Sequence, residues 1–385
     1  MKVLACIPAA LLCTAWLVTI PSSQAGTTAT TVPYAGTWKG SIGPHNVMVC
    51  LSPQTAQYYS LQQRRGLWLE AKATGQSSED ALAQALQTGQ LTLTEQVRDA
   101  GSIELRPLAH WQLEPNAQGG LHGIWRDLTG QKKLPIQLTR LPAVAGRQQE
   151  DSAACGAQFY APIQAAHTVQ SHPRQYQGRS YQELRTPIAR ALQLPGNSSG
   201  VAAFNAYARQ WLGEQAIQDY ECTRMGGSTW ESTLELVFWT DTTLVLRDFT
   251  PELYCGGAHG FSSVSHLTWN LETGLPTVVW DWLQGGAKAA APQHTPSGEA
   301  IRTPLRALLE KHDPRNTPGD DCAEDSEHME IAQPYPTPQG LVFETLHPHA
   351  MRACNDSITL AWRQLQPLLT PTGKTAMQHW RKTNR

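Results

Sequence analysis

Residues 229–250 read TWESTLELVFWTDTTLVLRDFT, two runs rich in Leu, Val, Phe, Trp and Thr that break only at Asp241-Thr242. The pattern predicts strands at 229–240 and 242–250, joined as a tight hairpin. A third strand is expected at 262–271, where Leu267, Trp269 and Leu271 alternate ahead of the turn Glu272-Thr273-Gly274. On either side the period becomes helical. Upstream, Asn197 and Ser198 offer N-caps to a helix in which Val201, Phe204, Ala208, Trp211 and Leu212 share a face. Downstream, Ile301, Leu305, Leu308 and Leu309 form one face of a helix over 298–312. Strands near 341–346 and 357–362 and a short helix near 364–369 complete this half. Helices interleaved with a largely antiparallel sheet predict an α+β fold.

The preceding region is different. Residues 36–141 hold short alternating runs, among them Val47-Met48-Val49-Cys50-Leu51, Leu67-Trp68-Leu69, Leu91-Thr92-Leu93 and Ile136-Gln137-Leu138, broken by Gly, Pro and Asn. They predict a β-meander or small barrel, with a helical turn or two inserted at 77–86. Gly36-Thr37-Trp38-Lys39-Gly40 is echoed by Gly123-Ile124-Trp125-Arg126-Asp127. The expected division is a signal peptide at 1–25, a β-rich domain at 26–144, a Gln- and Arg-rich linker at 145–154, an α+β domain at 155–371 and a basic tail at 372–385.

Met1 and Lys2, the apolar residues 3–20 and the small-residue end at Ala25 have the three-part form of a secretory signal. No later window is apolar enough to span a bilayer, so an extracytoplasmic, periplasmic location is expected. Loss of residues 1–25 leaves Cys50, Cys155, Cys222, Cys255, Cys322 and Cys354. An even number of cysteines in an exported chain favours disulfides, and no Cys-x-x-Cys offers a zinc or redox spacing. Of the 15 possible pairings, the most local is 50 with 155, 222 with 255 and 322 with 354. The 30 Lys and Arg against 32 Asp and Glu, a formal charge of −2, leave no nucleic-acid footprint.

Tyr254-Cys255-Gly256-Gly257-Ala258-His259-Gly260, then Leu267-Thr268-Trp269-Asn270-Leu271-Glu272-Thr273-Gly274 and Trp280-Asp281-Trp282-Leu283, with Gly340-Leu341-Val342-Phe343 later, resemble one envelope module. It is the C-terminal domain of unknown function shared by RsiV-like anti-sigma factors and some peptidoglycan deacetylases. The resemblance covers about residues 220–371, with a lead-in from about 155, and leaves the β-rich domain outside. It implies an extracytoplasmic, non-catalytic module that binds lysozyme. The chain departs from those sensors in having no internal span and no sigma-binding segment, so only the binding role carries over.

Gly256 and Gly257 suit positive φ in a tight turn, and His259 beside them is either a binding residue or a ring that ties the turn to a neighbouring strand. The segment 313–339 carries five prolines and the acidic run Asp320, Asp321, Glu324, Asp325, Glu327 and Glu330 around Cys322; it reads either as a solvated loop pinned by Cys322 or as an acidic surface for a cationic partner or a weak Ca²⁺ site, without EF-hand spacing. Gly196-Asn197-Ser198-Ser199-Gly200 has the spacing of a nucleophile elbow. It reads as a helix cap, because Leu194-Pro195 and a helical-looking stretch at 181–192 precede it. His347-Pro348-His349 supplies two imidazoles, too few for a tetrahedral metal site. The tail at 374–385 reads as a frayed basic end able to touch anionic envelope polymers.

The expectation is therefore an exported, non-catalytic binding protein of the cell envelope that recognises lysozyme or a cell-wall component and needs no cofactor. The alternative is a cell-wall hydrolase using His259 with a nearby carboxylate such as Asp241 or Asp248. Mass spectrometry of the purified protein should find residues 1–25 missing. A mature chain that retains residues 2–20 would contradict the signal assignment.

Overall fold

A computed structural model describes residues 34–53, 55–71, 78–99, 104–142, 156–227, 231–255, 260–284, 303–314, 330–346 and 353–382. Eight strands come first: β1 (Gly36–Ile42), β2 (His45–Leu51), β3 (Ala56–Ser60), β4 (Arg65–Ala71), β5 (Leu91–Arg98), β6 (Leu105–Pro115), β7 (Leu121–Asp127) and β8 (Lys133–Arg140), with helix α1 (Ser78–Thr88) between β4 and β5. Each pairs antiparallel with the next, and β8 returns to β1 to close a barrel. Closure removes every edge strand. The register places Trp38 opposite Val49, Val49 opposite Tyr58 and Tyr58 opposite Leu67, a ladder of inward side chains that are all buried. An eight-stranded barrel is just wide enough for its own side chains to fill it. At the seam the Arg140 guanidinium lies 5.8 Å from the Trp38 ring and donates to the Ala35 carbonyl at 2.6 Å.

The alternate ladder, Met48–Tyr59–Gly66 and Cys50–Gln57–Trp68, faces outward. In a barrel facing water these would be polar. Here Met48, Cys50 and Tyr59 are buried against Phe159 and Ile163 of α2 (Gly156–Gln164) and Tyr220 of α3 (Ser199–Arg224).

The α+β half is built on a seven-stranded sheet. Strands β9 (Gln170–Tyr176), β10 (Arg179–Arg185) and β11 (Ala189–Gln193) lead to α3, followed by β12 (Ser232–Trp239), β13 (Thr243–Leu253), β14 (Phe261–Asn270) and the short β15 (Leu275–Thr277). All neighbours are antiparallel except β11 and β12, and a parallel pair needs a crossover. That crossover is α3. Its Phe204, Ala208, Trp211, Leu212 and Ala216 pack on one sheet face with Leu234, Leu244, Leu246 and Trp269. The other face is covered by a small sheet of β16 (Glu330–Ile331), β17 (Tyr335–Pro336), β18 (Gly340–Leu346) and β19 (Ser357–Ala361), by α4 (Thr303–His312) and by α5 (Pro371–Lys382). Residues 33–385 form one compact unit, and no helix among the described residues is long and apolar enough to cross a membrane.

Two expectations fail. The stretch 181–192 is not helical but the strand–turn–strand of β10 and β11. Leu184, Ile188 and Leu192 mimic a helical stripe, while Thr186-Pro187 turns the chain because proline disfavours helix in the residue before it. Nor is 372–385 a frayed tail as far as Lys382. Pro371 opens α5, and Met377 and Trp380, three residues apart, bury in the core beside Phe238. Of the Pro-rich segment, the described part carries the short strands β16 and β17; the rest, like the linker at 145–154, lies outside the described residues.

Gly66 is where α3 meets the barrel, because a Cβ there would overlap the Tyr220 ring. Replacing a strand glycine by alanine ordinarily gains about 0.5–1 kcal/mol, whereas forcing atoms into a packed contact costs about 1–3 kcal/mol. Urea unfolding of Gly66→Ala should therefore show a net loss of roughly 1–2 kcal/mol. Equal or higher stability would contradict this packing.

Candidate functional site

The turn singled out in the sequence, Gly256, Gly257, Ala258 and His259, lies outside the described residues, as do Asp320, Asp321, Glu324, Asp325, His347 and His349. What the structure describes is the base from which the turn leaves. The turn joins β13 to β14, whose last paired residues are Leu253 and Phe261. Cys255 is bonded to Cys222 in the last turn of α3, with Cα atoms 4.5 Å apart. The chain after α3 presses on the same spot: a Cβ on Gly227 would meet the Tyr254 carbonyl at 2.5 Å and Cys222 Sγ at 2.6 Å. Cys50 and Cys354 are disulfide-bonded as well, and their expected partners, Cys155 and Cys322, lie outside the described residues.

The carboxylates considered as partners for His259 are engaged elsewhere. Asp241 sits at the β12–β13 turn, 85% exposed, and pairs with Arg179 at 2.8 Å. Asp248 accepts from Trp211 Nε1 of α3 at 2.9 Å, and burial raises its pKa. Ser198 is the N-cap of α3: its Oγ accepts from Val201 N at 3.4 Å. The sequence argument for this cap was partly wrong, since a strand, β11, precedes it. The backbone decides the matter. A nucleophile elbow holds its serine strained, whereas Ser198 has φ −59° and ψ 151°, ordinary extended values.

Two buried polar clusters escaped the sequence reading. Inside the barrel, Glu95 Oε2 accepts from Trp111 Nε1 at 3.0 Å and Trp125 Nε1 at 2.7 Å, and the Tyr58 hydroxyl bonds to the same carboxyl group. Burial, reinforced by Glu95, holds the Tyr58 hydroxyl protonated far above its ordinary range. The second cluster lies between the large and small sheets. His266 of β14 stacks on Tyr335 with ring centroids 4.0 Å apart, and its Nε2 lies 3.5 Å from Glu344 Oε1 of β18. Burial, with a smaller push from Arg247, lowers the His266 pKa to about 3. Burial raises that of Glu344, against the pull of Arg247. Both groups are thus driven toward their neutral forms, and His266 Nδ1 and Thr268 Oγ1 are buried with no partner among the described residues. The His266 side chain is 1% exposed, so a dissolved substrate cannot reach it. The pair ties two layers together. Its signal in the sequence is slight: one histidine in a strand of mixed Ser, Thr and apolar residues, and one glutamate in a largely apolar strand.

No family model matches the chain. No curated protein matches it. Among solved structures it is similar to a DUF3298 family member from Bacteroides fragilis, at 14% identity and a TM-score of 0.35, over 56% of this chain and 96% of that one. It is also similar to a DUF3298 family protein from Pseudomonas aeruginosa, at 13% identity and a TM-score of 0.33, over 53% and 93%. Neither is described as an anti-sigma factor or a deacetylase, and that link rests on the motif resemblance alone. No activity passes from these proteins to this one.

The His266 cluster makes a pH prediction. A folded pKa near 3 lies below the unfolded 6.5, so its contribution to stability is complete above about pH 6.5 and is lost as pH falls toward 3, by at most about 1.4 kcal/mol per pH unit. Glu344 runs the other way, contributing below about pH 4.5 and losing it as pH rises. Denaturant titrations between pH 7 and 4 should therefore show wild type losing stability relative to His266→Gln as pH falls. Parallel curves would contradict the assignment.

Proposed function

We propose that this protein is an exported, non-catalytic binding protein of the cell envelope whose recognition surface is built around the turn at 256–259 and the acidic residues Asp320, Asp321, Glu324 and Asp325. The observation that carries the proposal is the Cys222–Cys255 disulfide. Structural disulfides belong to oxidising compartments, and this one anchors the start of the turn to the end of α3, where a binding loop gains from a base that does not move. The bonded state of Cys50 and Cys354 points the same way. The partner is a cationic protein such as lysozyme, or a cell-wall component, met in the periplasm.

Carboxylates on a surface loop act mainly on the association rate, and their reach is set by a Debye length of about 8 Å at physiological salt. Calorimetry against lysozyme at low and physiological salt tests the reading, using wild type and a variant with Asp320, Asp321 and Asp325 changed to Asn and Glu324 to Gln. Salt-sensitive binding by wild type, weakened in the variant, is expected. No binding at either salt would remove lysozyme as the partner, and equal binding by the variant would remove the acidic run from the site.

A further inference from the structure

A cavity of about 130 Å³ opens where α1 packs on the outer wall of the barrel at β4 and β5. All of its lining residues are among those described, and none is a cation. Exposure grades along it. Gln96 of β5 is 6% exposed, Glu70 of β4 is half-buried, and Glu79, in the first turn of α1, is exposed like Leu105. Leu82 of α1 adds a buried apolar wall.

The orientation of the Gln96 amide follows from its neighbour. Its nitrogen donates to Glu70 Oε2 at 2.6 Å, and a flipped amide would set two acceptors against each other. The other amide atom is therefore the carbonyl oxygen, and this Oε1 is buried with no partner among the described residues. Neither Glu70 nor Glu79 pairs with a cation among those residues. The cations close by are engaged: Arg106 pairs with Asp99 at 3.2 Å, and Arg224, on the Trp68 ring, pairs with Glu221.

Two carboxylates alone would be an ordinary solvated surface. The amide oxygen changes the reading, because an acceptor cut off from water is costly unless a donor meets it, and the two acids beside it are acceptors too. We propose that this cavity binds a primary alkylammonium group, whose three N–H donors meet Gln96 Oε1, Glu70 and Glu79 while its chain lies along Leu82 and Leu105. A guanidinium fits less well, since its planar fork grips both oxygens of one carboxylate and Gln96 already holds one oxygen of Glu70. Ca²⁺ takes about six to eight oxygen ligands and has no use for an apolar wall. Sites for drug-sized ligands begin at roughly 300 Å³, so the ligand here is a small free amine or the side chain of a lysine presented by a partner. The site does not depend on the recognition surface proposed above.

Calorimetry on the purified protein tests the proposal, with butylamine as the free amine, Nα-acetyl-lysine methylamide as the lysine side chain and butanol as the neutral counterpart. Butylamine should bind and butanol should not. Binding of the lysine derivative as well assigns the site to a presented side chain, and its failure to bind assigns it to a free amine. Glu70→Gln, which keeps an acceptor for the Gln96 amide, should weaken binding roughly tenfold, as should Gln96→Met, which removes the amide oxygen at similar length. Glu79→Gln, at an exposed position, should weaken it about threefold. Little-changed melting temperatures will show that the variants fold, and Glu79→Gln tests the site even if Gln96→Met does not fold. No binding of either amine, equal binding of butanol, or unaltered affinity in Glu70→Gln and Glu79→Gln would overturn the proposal. Ca²⁺ binding that Glu70→Gln abolishes, with neither amine bound, would overturn it in favour of a metal site.

Discussion

The structure depends on the length of one helix. A crossover between the parallel strands β11 and β12 requires only about a dozen residues, and the packing of α3 on the sheet ends near Ala216. Yet α3 has 26 residues, about 39 Å of helix, and its last two turns run beyond the sheet onto the barrel wall. There Tyr220 fits over Gly66 and donates to Gln57 Oε1 at 3.0 Å, while the Arg224 guanidinium lies 3.6 Å from the Trp68 ring and the Trp68 indole donates to the Arg224 carbonyl. Tyr160 of α2 braces the contact from the side by donating to Glu221 at 3.0 Å. The disulfide that anchors the 256–259 turn leaves from this same overhang, at Cys222. Barrel and sheet are positioned by one rod.

A second device recurs inside both halves. Buried carboxylates are expensive unless hydrogen-bonded, and here they are met by neutral indoles rather than by cations. Trp111 and Trp125 donate to Glu95 and join β5, β6 and β7. Trp211 donates to Asp248 and joins α3 to β13. Each carboxylate thereby fixes the rotamers of large side chains that the apolar core alone would hold less specifically. The third acid, Glu344, has an imidazole for a neighbour instead.

Much of this was readable in advance where local chemistry and tertiary role agree. The hairpin at Asp241-Thr242, the alternation of Leu267, Trp269 and Leu271, the Ser198 cap and the barrel strands all follow local rules. The misreadings occurred where two periods fit the same residues or where tertiary contact overrides polarity. Leu184, Ile188 and Leu192 satisfy a helical period, yet they belong to two strands hinged at Thr186-Pro187. In α5, Lys374, Arg381 and Lys382 mask the pair Met377 and Trp380. The outward ladder of Met48, Tyr59 and Gly66 could not announce its partner, because Tyr220 is more than 150 residues away in the chain. His266 and Glu344 come together only across two sheets and carry no spacing signal at all.

If α3 makes the barrel and the α+β half one body, the two should open together. Native-state hydrogen exchange measures this most directly, through the slowest amides of β5 and β6 on one side and of β12 and β13 on the other. The account predicts a common opening free energy and a common dependence on denaturant for both sets. Two separate opening energies, with the barrel strands protected while the sheet exchanges or the reverse, would contradict it.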